Sequence, residues 1–233
     1  MTRAGAVAGE RLARILAELA GAPGSARLCE VGASVVGVSG AGVMLMAGDV
    51  PRGSLCTTNA VSNLIEELQF TLGEGPCVDA YHHDTVVLEP DLADPRTPRW
   101  LAFTPRAVAA GARAVFGFPL RVGSARLGAL NVYQDRPGPL TDDQHADALV
   151  MADVVARWVL DAQAGAPPGD LATELEAGAN LHFIVHNAAG MVSVQLGVSL
   201  TEALIRLRAH AFSSDRPLDE VAAEVVARTL RLT

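Results

Sequence analysis

One short stretch divides the chain. Ala164 to Asp170 (AGAPPGD) is rich in proline, glycine and alanine and carries no periodic apolar pattern, so it reads as a linker. Before it, apolar residues fall partly at helical spacing and partly in short continuous blocks; after it, every segment keeps helical spacing. With 233 residues, both parts can bury a core of their own. The layout predicted is an α/β unit, a linker at 164–170 and a tail of three helices.

Composition narrows the class. Hydrophobic residues make up 50% of the chain and charged ones 19%, the balance of a soluble globular protein rather than a disordered one. No run of 18 apolar residues occurs, so no membrane span is expected. Arg11, Arg14 and Glu18 interrupt the apolar positions of the N-terminal segment, which does not read as a signal peptide. Cys29, Cys56 and Cys77 are odd in number and far apart, and with no export signal they are expected as free thiols in a reducing cytoplasm. The net charge of −8 argues against a protein that coats nucleic acid through bulk attraction. All 18 basic residues are arginine, which a coding bias toward Ala, Gly and Arg explains without invoking function.

Along the first part, Leu12, Ile15, Leu16 and Leu19 predict a helix from Val7 to Leu19, and Ala26–Val36 predicts a second. Ala41–Ala47, apolar and bracketed by glycines, predicts a buried strand with Pro51–Thr58 as its hairpin partner. Asn59 or Ser62 can cap a helix over Val61–Phe70. Thr85–Glu89 predicts a strand, Arg106–Gly111 one or two helical turns, and Ala114–Val122 with Arg126–Tyr133 a hairpin around Gly123. Thr141 opens a helix to about Ala162 that is apolar on most of its surface and must be buried, on a sheet or against a second chain. In the tail, Leu171, Leu175, Gly178, His182, Val185, Ala189, Val192 and Leu196 alternate spacings of four and three, predicting one long helix stopped by Gly197. Ser199 with Glu202 predicts a capping box for the next helix, whose apolar stripe is Leu200, Leu204, Leu207 and Ala211. Asp215 and Pro217 open the third.

Candidate chemistry is sparse. Gly73-Glu74-Gly75-Pro76-Cys77 lacks the Lys-Ser/Thr ending of a phosphate loop and the third glycine of a dinucleotide fingerprint. It reads as a sharp turn that places a thiol beside a pocket or, more plainly, a small buried Cys. Cys77, His82, His83 and Asp84 are metal-ligand types, but their spacing matches no zinc pattern, and adjacent histidines in an extended segment face opposite ways. No nucleophile elbow or paired-carboxylate signature is visible. No catalytic or metal residue is assigned and no enzyme activity is expected. Residues 170 to 233 hold five Arg against eight Asp and Glu, so a nucleic-acid site there must be a local patch.

Two resemblances then add to this reading. The tail resembles an ANTAR domain through His186-Asn187-Ala188-Ala189-Gly190-Met191, Gly197-Val198-Ser199, Glu202-Ala203-Leu204, Leu207-Arg208, Ala211, Arg216-Pro217-Leu218 and Glu220-Val221-Ala222. The first part is similar to a GAF domain through Gly73 to Cys77, Asp91-Leu92, Asp94-Pro95-Arg96, Phe118-Pro119-Leu120 and Leu127-Gly128-Ala129-Leu130-Asn131. The combination resembles the GAF–ANTAR regulators of actinobacteria, which would also account for the Arg-only, Ala-rich composition. The resemblance implies an α+β sensor with an antiparallel sheet flanked by helices over 8–163, the linker at 164–170, and an all-α ANTAR module over 171–233.

As function, the resemblance implies a cytoplasmic, homodimeric antitermination regulator. An unidentified small molecule would bind one sheet face near Gly75, Cys77 and Asp91, in a cavity lined mainly by apolar groups and reaching the Asp91–Arg96 loop. Tandem RNA hairpins would bind the tail through Arg206, Arg208, His210 and Arg216. Two features pull the other way. Many ANTAR domains carry Lys or Arg where this chain has Ala189, so the alternative is a ligand-binding or dimerisation protein whose tail does not engage RNA. One GAF branch reduces free methionine sulfoxide, but it needs paired cysteines, and Cys77 has no neighbouring Cys. The GAF part also lacks the signatures of cyclic-nucleotide and bilin binders, which leaves the ligand, and any cofactor, open.

Overall fold

The computed structural model describes residues 3–20, 24–48, 50–94, 96, 99–164, 172, 175 and 180–232. Most of the linker, 165–170, lies outside them, as do 171, 173–174 and 176–179 of the expected long helix. Helices α1 (Arg3–Leu19) and α2 (Ser25–Val36) precede the hairpin β1 (Gly40–Ala47) and β2 (Val50–Thr57). Then come α3 (Ala60–Leu72), α4 (Pro76–His83), β3 (Val87–Glu89), α5 (Phe103–Ala109), the hairpin β4 (Ala114–Val122) and β5 (Ala125–Gln134), and α6 (Asp142–Gln163). The tail contributes β6 (Asn180–Leu181), α7 (Phe183–Leu196), α8 (Leu200–Ser213) and α9 (Leu218–Val226).

The strands form one sheet in the order β3-β4-β5-β1-β2-β6, and every pairing is antiparallel. Period-two alternation along β1 divides the core: Val43 and Leu45 face one way, Met44 and Met46 the other. On the first face α2 and α6 bury Leu28, Val31, Met151, Val155 and Val159. On the second lie α3, α4 and α5, and their cluster runs without a break into the tail through Phe70, Val185, Ala189, Leu204, Leu207 and Val221. Caps fix where the helices begin. Asn59 and Ser62 make a reciprocal capping box on α3, and Thr141 and Gln144 do the same on α6. No single helix among the described residues is long and apolar enough to cross a membrane.

The structure corrects several expectations. Cys29 and Cys56 are joined by a disulfide, not free; packing of α2 on β2 brings their Cα atoms to 6.0 Å, a proximity that a separation of 27 residues does not reveal. Residues 76–83, expected as a turn and an extended segment, form α4, with Pro76 in the first turn where its missing N–H costs nothing. The long tail helix is interrupted at Asn180–Leu181, which pair with Ser54 and Gly53 of β2, so the helix begins only at Phe183. On α8 the capping box is half made: Ser199 accepts from the Glu202 N–H, while the Glu202 carboxylate turns to Arg206. Leu200 is exposed, and Ala203 takes the inward position expected of it.

Candidate functional site

Helix α3 presents chemistry on two sides. Ile65, Leu68 and Phe70 anchor it in the core. Between them Glu66 and Gln69 turn toward the sheet, where Glu66 is 2% exposed and Gln69 fully buried. Helix α4 closes over them. Gly75 caps it at φ 135, where a Cβ would stand 2.6 Å from Gln69 Cγ, and Gly117 of β4 lets Pro76 approach so closely that a Cβ would lie 2.4 Å from its carbonyl oxygen. That approach carries Cys77 to the inside. Its N–H donates to Gln69 Oε1 at 2.6 Å, and its Sγ lies 3.9 Å from Glu66 Oε1.

These buried groups have altered acidity. Burial pushes the Glu66 carboxyl up to about 8, although Asn131 and Cys77 both favour its charged form. Burial, with the nearby Glu66 charge, holds the Cys77 thiol well above its usual range. At neutral pH the pair is therefore an acid and a thiol, both protonated. In this cluster Glu66 Oε2 and the Asn131 side chain, which lies against the Glu66 carboxyl, make no hydrogen bond of good geometry among the described residues. Buried polar atoms normally find partners, so this is unused capacity for donors and acceptors in the sensor interior. Of the expected ligand residues, Gly75 and Cys77 meet here. Asp91 instead accepts from the Ala93 N–H and from Arg113 at 3.0 Å. His82 and His83 are exposed at the far end of α4, apart from the buried Cys77.

The other side of α3 meets the tail. His182, just before α7, stacks on Phe70 with ring centres 3.8 Å apart, and its nitrogens lie 3.2 Å from Glu67 and 3.4 Å from Asp219 of α9. Burial alone would lower the pKa of His182, but the Glu67 hydrogen bond and the charges of Glu67 and Asp219 outweigh it, and the pKa is raised. Ligand atoms of Glu67, His182 and Asp219 lie within 4.8 Å of one another. The two carboxylates, however, face opposite nitrogens of one ring, the arrangement of a protonated bridge rather than of donors converging on an ion. His186 reaches the Arg52 carbonyl at 3.2 Å.

The four expected RNA residues take different places. Arg208 of α8 is half-buried at the junction: its Nη2 donates to the Phe70 carbonyl, its guanidinium lies 5.7 Å from the Phe70 ring centre, and burial pushes its pKa down to about 10. Its Nε has no partner, and no carboxylate pairs with it among the described residues. Arg206 pairs with Glu202 at 2.8 Å, and Arg216 with Glu224 at 2.7 Å. His210 is half-exposed in the last turn of α8. Arg208 and Arg216 share the wall of a cleft of about 470 Å³ between α3, α5, α8 and α9. Sequence reasoning missed Glu66, Gln69 and Asn131, and the one available signal was their position among apolar neighbours.

An antiparallel sheet with helices on both faces and a buried polar cluster beside α3 defines a small α+β module. The family model of the GAF domain matches residues 10–159, and the chain belongs to that family, which suggests a ligand-sensing or signalling role. The chain is similar to the GAF domain of a phosphoenolpyruvate-protein phosphotransferase from Coxiella burnetii (15% identity, 67% of this chain and 95% of that one, TM-score 0.53). It is also similar to the GAF domain of the Acinetobacter phosphoenolpyruvate-protein phosphotransferase (13% identity, 70% and 98%, TM-score 0.50). Both likenesses concern the fold. The free methionine-R-sulfoxide reductase of Neisseria meningitidis is matched more loosely, at 14% identity over 67% of this chain and 90% of that one, with a TM-score of 0.45. A search of curated proteins finds no significant match.

Proposed function

We propose that the chain is a signal-responsive antitermination regulator, in which the GAF domain binds a small polar molecule and the ANTAR-type tail binds tandem RNA hairpins. The observation that carries this reading is the position of Arg208. A cation half-buried without a counter-ion is costly, and a phosphate would relieve it. It is held by the Phe70 carbonyl on the same helix, α3, that carries Glu66 and Gln69 into the sensor interior. A ligand that engages Glu66, Gln69 and Asn131 can shift α3 and so change its hold on Arg208. The patch of Arg206, Arg208, His210 and Arg216 is then the part of the tail that takes RNA. The tail's sequence resemblance and its three helices α7 to α9 support the reading. Cys77, protonated and with no partner thiol on its face of the sheet, is a pocket thiol rather than a catalyst.

Titration of a two-hairpin leader transcript tests this. Arg208→Ala with Arg216→Ala is expected to weaken binding by about 1–3 kcal/mol while the fold persists. A folded double variant that binds as tightly as the parent would sink the assignment of the patch. Turnover abolished by Cys77→Ser with the fold intact would overturn the non-enzymatic reading. A second reading, a sensor whose tail does not engage RNA, is favoured by Ala189. That position is fully buried within the helical module and offers a partner no side chain. Failure of the parent to bind any two-hairpin transcript selects it.

A further inference from the structure

Beyond His186, which touches the sensor at Arg52, α7 turns a second face outward. Its core side is Val185, Ala188, Ala189 and Val192, while His186, Asn187, Gly190 and Met191 line a groove of about 860 Å³ against the chain that follows α9. Arg228 and Arg231 form the opposite wall, and among the described residues no acidic one lines the groove. Among the described residues neither of these arginine side chains has an ion pair or a hydrogen bond, in contrast to Arg206, Arg208 and Arg216.

Two residues here are poorly explained by the fold. Gly190 sits inside a helix, where glycine weakens the helix relative to alanine, yet a Cβ built on it would meet nothing within 4 Å. Internal packing does not require it. Arg228 holds a left-handed backbone at φ 62, a conformation that suits glycine and strains other residues. The chain therefore keeps an arginine where glycine would be easier, and a glycine where a side chain would be easier. Both choices shape this one groove: the first supplies charge, the second leaves the floor open.

We infer that this groove is a second RNA-binding surface, taking a single-stranded loop segment with its phosphates on Arg228 and Arg231. It rests on the RNA-binding reading above. Unpaired bases can lie over the open floor at Gly190, beside Met191 and exposed Val194, with Asn187 available for an edge hydrogen bond. Unlike Arg208, the groove is free while the tail is docked on the sensor, so it gives RNA a first foothold.

The probe is a pool of tandem-hairpin transcripts with randomised loops, titrated against the full chain over a range of salt. Arg228→Gly and Gly190→Gln are each expected to raise Tm, because each relieves a local backbone penalty, and to weaken binding at least tenfold. Arg228→Gly should also lower the slope of log affinity against log salt by about one, because one fewer phosphate is neutralised. Arg136→Ala, which removes one exposed charge from the sensor far along the chain, is the control and should bind as the parent does. If Arg228→Gly and Gly190→Gln bind like the parent, the groove is overturned and the RNA reading survives. If the parent itself retains no RNA, that reading falls and the groove with it. If an acidic peptide binds the parent but not the groove variants, while RNA binds all of them alike, the surface belongs to a protein partner and the inference is wrong.

Discussion

Glu66 and Glu67 are neighbours in sequence with opposite fates. Glu66 is buried beside Cys77 and stays protonated at neutral pH, while Glu67 lies at the junction with the tail and is held in its charged form by His182. Because the folded pKa of Glu66 is raised to about 8 from 4.5, the folded state binds the extra proton throughout that window. Its contribution to stability is fully present below pH 4.5 and is lost as pH rises through 8, with a slope approaching about 1.4 kcal/mol per pH unit for one proton. Glu66→Gln should flatten that decline, as measured by urea unfolding between pH 5 and 9; an unchanged slope would show that Glu66 is charged inside the sensor. The sequence made Cys77 legible because thiols are rare and its glycine-rich surroundings are conspicuous. Glu66 escaped because an acid in an amphipathic helix ordinarily marks the wet side. Ile65, Leu68 and Gln69 enclose it, and only their joint burial reveals which of the two acids points inward.

Periodicity served well for elements that bury a broad face, and less well for short ones. The predicted strands and helices of 41–58, 114–134 and 141–162 appear with ends displaced by one or two residues. Helix α4 was missed because its first residues are turn formers, and β6 because two residues carry no period at all. Between elements, the His182 bridge ties α3 to α9. The groups that face it are Glu67 and Asp219, with cationic Arg208 and neutral-leaning His186 nearby. Since its folded pKa lies above 6.5, the bridge is complete below pH 6.5 and is lost as pH rises through the folded value. The protection factors of α9 amides, taken against the intrinsic exchange rate at each pH, should therefore fall as pH rises from 6 to 8, and His182→Gln should abolish the change; equal protection at both pH values would refute it. On the other sheet face, reducing Cys29–Cys56 should cost roughly 3–4 kcal/mol on a chain-entropy account, read as a fall in Tm on adding a reductant. No shift would mean the pair is already open in solution.

At the scale of the whole molecule, α6 spends its apolar surface within the monomer, with Ala148, Met151, Val155 and Val159 buried against the sheet and α2. Helices α1 and α6 still leave Leu12 at 37% exposure, Leu16 at 50% and Leu149 at 44%. Helices α1 and α6 are held together by Arg11 and Arg14 on Asp147 at 2.6 and 2.7 Å. A homodimer through these helices is expected, with a sedimentation mass near twice the 24.2 kDa of one chain. Leu16→Glu should shift the population to monomer, and a parent already monomeric at micromolar concentration would overturn the expectation.

The pairing of Asn180–Leu181 with β2 has its own consequence. It means the tail hems the sensor's sheet. Were the tail to swing away, β2 would become a bare edge whose N–H and C=O groups seek another strand, the usual beginning of aggregation. A sensor cut at residue 164 should then precipitate where the full chain stays clear. The seam at which the sequence invites one to divide this protein is the one place where it does not tear cleanly.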